Sequence, residues 1–203
     1  MVGAWRKGAV VVGTRRPETG RAALRRHVTL PAMLEARELW ELARTLGREG
    51  FLARQAAWVL LKHPDAGVAL VDPKFDYHTV AIRTDEPRLA DPYPNEWRLA
   101  NILKRPGNPF PERISVGRAN NCDVVLRLPF VSKLHAHFVG GPPGAMRLAD
   151  NRSANGTTVA GRTLAPGEAI DVRSGDWIGF GPLRLQLLDP SDLFDALGRA
   201  FEA

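Results

Sequence analysis

Short runs in which apolar and polar residues alternate dominate the second half of the chain. RISVGR from residue 113, DVVLRL from residue 123 and LRLQLL from residue 183 are typical, and Pro-Gly, Asn-Gly and Ser-Gly pairs occur between such runs. A period of two residues is typical of strands that bury one face, and regularly spaced short strands indicate an antiparallel sandwich. We therefore predict a β domain over residues 97–189.

The residues after this domain have a helical pattern. In DLFDALGRAF, apolar side chains recur on one helical face. These side chains are Leu193, Phe194, Leu197 and Phe201. We predict a short helix over residues 190–203 that closes the sandwich.

The region before residue 97 predicts a mixture of helix and strand. Apolar residues recur at helical spacing from Pro31 to Leu46, and Gly47 suits the end of that helix. The run WVLLK at residues 58–62 fits a buried strand and a helix equally well, because periodicity does not decide so short an apolar run. Two further runs, GVALV at 67–71 and HTVAI at 78–82, have strand patterns.

Composition divides this first region further. Residues 1–28 are rich in arginine and poor in large apolar side chains, so we expect a disordered basic arm. Residues 29–90 form the predicted α+β extension. Prolines punctuate residues 85–95, and we place the domain boundary in this linker.

The charge is basic in two separate segments. Residues 1–62 hold 12 Lys and Arg against 5 Asp and Glu, and residues 97–189 hold 12 against 7, within a formal net charge of +6. Such a field favours anionic partners, whether nucleic acid, a membrane surface or phosphorylated protein. Because no apolar run approaches a membrane span and the single Cys122 cannot form an internal disulfide, we expect a cytoplasmic protein.

Three separated groups of residues suit an anion site in the loops of the β domain. They are Gly117-Arg118, Ser132-Lys133 with His135, and DNRSANGT at residues 150–157. Arg118 presents a planar fork of donors that can bind two phosphate oxygens, Ser132 adds a hydroxyl donor and Lys133 a mobile cation. Asn155 can pair with a passing peptide backbone, since its amide both donates and accepts. The glycines permit tight turns.

The sequences around these groups resemble the three signature blocks of forkhead-associated (FHA) domains. VGRANNCDVVL, VSKLHAHF and DNRSANGTTVAG occur in the order and at the spacing of that family. The resemblance covers residues 97–189. The region before it is similar to N-terminal regions that accompany some bacterial FHA proteins.

The resemblance implies an antiparallel sandwich of about eleven strands whose loops at one end bind phosphothreonine in an extended peptide. The phosphate would be held by Arg118, Ser132 and Lys133, and the peptide main chain by Asn155 with Ala154. The residues implied to support the site are Gly117, His135, Gly156 and Thr157, with His135 bracing the loop that carries Ser132.

Two positions depart from the family pattern. Lys133 stands where many members have arginine, which keeps the charge but loses the bidentate geometry. Ala154 stands where some members have a hydroxyl side chain, so one polar contact to the peptide is absent.

Ser132 and His135 also suggest a nucleophile and a base, but the chain has neither a G-x-S-x-G elbow nor a credible triad order. His135 and His137 would share one strand face, and no cluster of Cys or His supplies further metal ligands. We therefore predict no catalytic residue, no enzyme activity, no metal and no cofactor.

These observations predict a phosphothreonine-dependent protein-binding module in bacterial serine/threonine-kinase signalling. Its expected partner is a phosphothreonine-containing protein, with a serine/threonine kinase or its substrate as the candidate, and no membrane partner is expected. Two alternatives stay open: a phosphate-independent scaffold built on the same sandwich, and nucleic-acid binding through the basic N-terminal region. The second is less favoured, because the cations concentrate in the predicted arm rather than on a recognition helix.

Overall fold

The computed structural model describes residues 33–55, 58–64 and 95–202. The basic arm predicted over residues 1–28 and the strands predicted at 67–71 and 78–82 lie outside the described residues. Most of the proline-rich linker lies outside them as well, and so do most of the cations on which the nucleic-acid alternative depends.

Twelve strands and two helices occur in the described residues. In chain order they are β1 (Leu34–Glu35), α1 (Ala36–Leu52), β2 (Val59–Lys62), β3 (Arg98–Asn101), β4 (Ile114–Gly117), β5 (Val124–Val125), β6 (Ala136–Gly140), β7 (Ala145–Asp150), β8 (Thr157–Val159), β9 (Arg162–Thr163), β10 (Ala169–Arg173), β11 (Trp177–Phe180), β12 (Leu183–Leu188) and α2 (Pro190–Phe201).

The strands form two sheets. The larger has the order β1-β3-β2-β12-β11-β8-β9 and the smaller has the order β10-β7-β6-β4-β5. Neighbouring strands are antiparallel except β4 and β5, which are parallel. The predicted antiparallel sandwich and its closing helix are confirmed.

Buried side chains from both sheets form one cluster, which we call the sandwich core. It includes Leu60, Ile178 and Leu185 from the larger sheet, and Phe138 and Leu148 from the smaller sheet. All five side chains are fully buried, because the alternating pattern of the strands points them between the sheets.

A second cluster, the helix-side core, lies on the other face of the larger sheet. It consists of Ala36, Trp40, Ala43, Phe51, Val59, Leu61, Leu99, Leu188, Leu193, Ala196 and Leu197. Phe194 of α2 joins the two helices across this core, since its ring centroid lies 5.3 Å from that of Trp40 and 5.6 Å from that of Phe51.

The two cores explain the continuous apolar run at residues 58–61. On β2, Leu60 belongs to the sandwich core while Val59 and Leu61 belong to the helix-side core. A strand that is buried on both faces has no polar alternate position. The segment left open between helix and strand is therefore a strand.

Strand β2 also ties the predicted extension to the sandwich. It is hydrogen-bonded between β12 and β3, with Leu60 opposite Leu187 on one side and Ala100 on the other. The division of the chain at the linker stays a prediction, but residues 59–62 lie within the sheet of the β domain.

Helix α1 begins later than the sequence predicted, and a further helical stretch follows Gly47. Leu34 and Glu35 pair with β3 as strand β1, and the Ala36 N–H donates to the Trp97 carbonyl at 3.1 Å. The first turn therefore starts at Ala36 rather than Pro31. Gly47 has φ 66° and ψ 169°, so the first helical stretch ends there as predicted, and α1 consists of two helical stretches joined by a kink at this residue.

Helix α2 begins with a side-chain cap. The Asp189 carboxylate accepts a hydrogen bond from the Asp192 N–H at 2.9 Å, and Pro190 occupies the first turn. Leu193 and Leu197 are fully buried, as the one-faced apolar pattern predicted. Neither of the two helices described is long and apolar enough to cross a membrane.

We expect Phe51→Ala to lower the free energy of unfolding by about 3–5 kcal/mol, because it opens a cavity in the helix-side core. Urea unfolding followed by far-UV circular dichroism measures this change. Glu49→Ala, on the exposed side of the same helix, is the control and should change the free energy by less than about 0.5 kcal/mol. Equal effects of the two substitutions would contradict the packing described.

Candidate phosphate-binding loops

Three loops follow the strands at one end of the smaller sheet. They are residues 118–123 between β4 and β5, residues 126–135 between β5 and β6, and residues 151–156 between β7 and β8. Together with Gly117 and Thr157, they carry the residues that the sequence singled out. Hydrogen bonds between the loops bring these residues together.

Gly117 lets the first two loops approach closely. A Cβ atom at this position would lie 2.3 Å from the Lys133 carbonyl oxygen, which is far inside van der Waals contact. The Arg118 N–H donates to the Ser132 carbonyl at 3.0 Å, and the Ala119 N–H donates to the Lys133 carbonyl at 3.2 Å. Arg118 therefore stands directly beside the Ser132-Lys133 segment.

Cys122 contributes to the same contact. Its thiol donates to the Lys133 carbonyl at 3.2 Å, and the residue is 3% exposed. Burial raises the pKa of the Cys122 thiol, so the side chain stays neutral and acts as a small packing residue.

His135 joins the second loop to the third. Its Nδ1 accepts the Ser132 N–H at 3.0 Å, so the ring proton lies on Nε2, which donates to the Gly156 carbonyl at 3.0 Å. The imidazole is fully buried, and this burial lowers the pKa of His135. A neutral ring of one tautomer thus connects the two loops.

The Asp150 carboxylate organises the third loop. One oxygen accepts the hydroxyl groups of Ser153 and Thr157 at 2.6 and 2.7 Å, and the other accepts the Ser153 N–H at 3.1 Å. Thr157 is fully buried, and Gly156 has a φ of 74°, which favours glycine. The sequence assigned no role to Asp150, although an Asp side chain that bonds nearby backbone is typical of turns.

Ser132 belongs to the second loop and contacts the third. Its hydroxyl oxygen accepts the Ala154 N–H at 3.0 Å. Because a hydroxyl can donate and accept at once, the Ser132 proton remains available to an anion. The same bond holds Ala154 next to Ser132.

Asn155 is turned inward. Its side-chain N–H donates to the Phe130 carbonyl at 2.7 Å, and the residue is 8% exposed. A carbonyl only accepts, so the amide orientation is defined. The sequence placed Asn155 on a peptide backbone and missed this contact, because Phe130 is distant along the chain and its carbonyl carries no sequence signal.

Unsatisfied polar atoms concentrate at these loops. Four buried side-chain polar atoms have no hydrogen-bond partner in the described part of the chain, and three of them lie here: Arg118 Nε, Asn151 Nδ2 and Asn155 Oδ1. Buried polar groups are ordinarily bonded. Ion pairs between Arg118 or Lys133 and a carboxylate are also absent from residues 33–55, 58–64 and 95–202.

No group of three or more His, Cys, Asp and Glu side chains within the described ranges has the arrangement of a metal site. His137 is instead engaged with a neighbour, since its Nδ1 lies 2.8 Å from the Asn151 Oδ1 atom.

The sequence of residues 114–181 matches the family profile described as FHA domain. This segment of the chain is an FHA domain. It begins at β4 and ends just after β11, inside the range of 97–189 that the resemblance suggested.

A curated relative of the FHA segment is the ABC transporter ATP-binding/permease protein Rv1747 of Mycobacterium tuberculosis. The two are 35% identical over 79 residues, which is 39% of this chain and 9% of the relative. The chain therefore matches only a small part of that protein.

Several solved FHA domains are similar to this one. The FHA-2 domain of Rv1747 is 34% identical and covers 41% of this chain and 78% of its own, with a TM-score of 0.33. The FHA domain of CT664 from Chlamydia trachomatis is 24% identical, covers 38% and 76%, and has a TM-score of 0.36. The N-terminal FHA domain of Rad53p from S. cerevisiae, solved with a phosphothreonine peptide, is 25% identical, covers 42% and 73%, and has a TM-score of 0.35.

We expect Gly117→Ala to destabilise the FHA domain by about 1–3 kcal/mol, because the added methyl group would overlap the Lys133 carbonyl. Gly140→Ala is the matched control, since a Cβ there meets nothing within 4 Å and its φ is not positive. Denaturant unfolding of both variants measures the difference. A tolerated Gly117→Ala would mean that the loops can separate without cost.

We expect the stability to fall as the pH drops below about 6.5, the ordinary pKa of histidine. Below that pH the histidine of the unfolded chain becomes protonated, whereas buried His135 stays neutral in the folded chain. The contribution of His135 to the free energy of unfolding is therefore complete above that pH and is lost below it. His135→Gln removes this difference in protonation between the folded and unfolded chains. It should therefore reduce the loss of stability between about pH 7.5 and about pH 5.5.

The measurement is urea unfolding of both proteins at the two pH values. His137, whose pKa burial also lowers, remains in both proteins and gives them a shared slope. An unchanged pH dependence in the variant would show that His135 is not held neutral.

Proposed function

We propose that the FHA segment binds phosphothreonine-containing protein segments, through the phosphate and the adjoining main chain. The observation that carries this proposal is the juxtaposition of Arg118, Ser132 and Lys133 on two loops bonded to each other. The Arg118 N–H meets the Ser132 carbonyl at 3.0 Å, and no described carboxylate pairs with either cation. These donors suit a dianionic phosphate group.

Each phosphate donor has a separate role. The guanidinium of Arg118 supplies a planar fork, whose buried Nε has no hydrogen-bond partner among the described residues. The Ser132 hydroxyl can donate its one proton, since the bond that it accepts from the Ala154 N–H occupies only a lone pair. Lys133 is exposed and contributes a mobile charge, with less directional preference than an arginine would have.

The peptide main chain would run past Ala154 and Asn155. Because the Asn155 amide donates to the Phe130 carbonyl in the free chain, it would have to turn toward the peptide to pair with it. Its Oδ1 has no partner to lose among the described residues, so the turn breaks one hydrogen bond. A peptide N–H and carbonyl can then replace that bond.

The proposed role is recognition without chemistry, since no bond is made or broken. We place the module in serine/threonine-kinase signalling of a bacterial type and in the cytoplasm, with a phosphorylated kinase or substrate as partner. The affinity then depends on prior phosphorylation. It should also weaken as salt screens the exposed charge of Lys133.

The test is a titration of the purified chain against a degenerate threonine peptide library in phosphorylated and unphosphorylated forms. We expect binding only to the phosphorylated set. Arg118→Ala should weaken that binding by about 10- to 100-fold, because charge-assisted hydrogen bonds to the phosphate are lost.

Arg147→Ala is the matched control for charge. Arg147 is exposed on β7 and pairs with Asp171 at 3.4 Å, so its removal should change the affinity by less than about twofold. Equal binding of the two peptide sets would refute the proposal and favour the phosphate-independent scaffold. Full binding by Arg118→Ala would refute the site assignment alone.

A further inference from the structure

The exposed charges on the three site loops have one sign. Residues 118–134 and 151–156 contain four basic side chains, Arg118, Arg127, Lys133 and Arg152, and a single acidic one, Asp123. Asp123 is 5% exposed and accepts hydrogen bonds from the Ser115 and Arg105 N–H groups, and it also pairs with Lys104. The charged side chains that these loops present to a ligand are therefore all positive.

Arg152 is the cation of the third loop and is not required by the phosphate site as described. It is exposed, two residues before Ala154, whose N–H contacts the Ser132 hydroxyl. Two residues span at most about 7 Å of chain. The distance from Arg152 to the contact with Ser132 is thus about the length that one or two residues of an extended peptide cover.

The conformation of Arg152 is fixed by its neighbours. Its φ of 54° lies in the left-handed region, which is uncommon for a residue with a Cβ. The Asp150 carboxylate holds the following Ser153 by both its N–H and its hydroxyl. The loop backbone therefore presents Arg152 from a pre-formed turn.

Two arginines on nearby strands have carboxylate partners, whereas Arg152 has none in the described part of the chain. Arg147 on β7 pairs with Asp171, and Arg162 on β9 pairs with Glu168. An exposed cation beside a ligand site and without an internal counter-ion is available to an anion on the ligand.

We propose that Arg152 is a specificity-determining residue, which selects phosphothreonine segments with a second negative charge within about three residues of the phosphothreonine. The charge is carried by an Asp or Glu side chain or by a second phosphorylated residue. This inference rests on the proposed phosphothreonine binding. It adds a substrate class to that function, because a neutral-flanked phosphothreonine leaves Arg152 without a partner.

The test uses the full chain and fluorescently labelled peptides with phosphothreonine in a neutral sequence. In the first set, one aspartate is placed at a single position, up to three residues before or after the phosphothreonine. In the second set, a second phosphothreonine takes the place of that aspartate. Unphosphorylated peptides with the same aspartates form the third set. We expect a gain of about two- to fivefold at the responsive position for aspartate, and a larger gain for the second phosphate.

Arg152→Asn should abolish this gain and leave binding of the neutral-flanked peptide unchanged. Asparagine tolerates the left-handed conformation, so the substitution preserves the turn, and thermal unfolding checks this. Arg152→Lys should keep most of the gain for aspartate, because it keeps the charge. Arg147→Asn is the control for a general change in net charge and should leave the gain intact.

The outcomes separate the two proposals. Loss of the distinction between phosphorylated and unphosphorylated peptides would refute the proposed function itself. A retained distinction without any gain from added charge would refute the second-charge preference. A gain that persists in Arg152→Asn, or that Arg147→Asn removes as well, would refute the role of Arg152.

Discussion

The neutral imidazole of His135 links the parts of the site that no single loop could position. It receives the Ser132 N–H on one side and donates to the Gly156 carbonyl on the other. Gly156 in turn accepts from the Gly181 N–H at 2.9 Å, which carries the connection from the smaller sheet into the larger one. Because the ring is fully buried, water does not compete for these bonds. The placement of Ser132, and through its hydroxyl the placement of Ala154, depends on this ring.

The sequence predicted much of this arrangement, and its misses have physical reasons. Alternating runs and turn residues indicated the sandwich, and the three motif blocks indicated which loops would meet. The strand at Val59–Lys62 was ambiguous because its partners, β3 and β12, lie far along the chain, and a short apolar run does not reveal them. The inward turn of Asn155 toward Phe130 was missed for a similar reason, since a main-chain acceptor leaves no mark in the residue pattern.

The site leaves hydrogen-bonding capacity unused, while the two buried carboxylates beside it are well bonded. Asp150 satisfies three donors, and Asp123 is held by backbone, hydroxyl and ammonium groups. Arg118 Nε and Asn155 Oδ1 nevertheless lack partners in the described part of the chain. Loops that internal hydrogen bonds already hold in place lose less conformational entropy on binding. The contrast between the two sets of residues is therefore consistent with a pre-formed recognition surface.

Strand β2 has a consequence for how this domain is isolated. The segment with the family match ends at residue 181, before β12, while β2 and β3 come from residues 59–62 and 98–101. A recombinant fragment cut to the match would leave β11 as an open sheet edge and would uncover Ile178 and Phe180, which are fully buried in the intact chain. Open apolar edges promote association between molecules. The unit for binding studies is thus wider than the segment that matches the family profile, and fragment boundaries drawn from that match alone would promote aggregation.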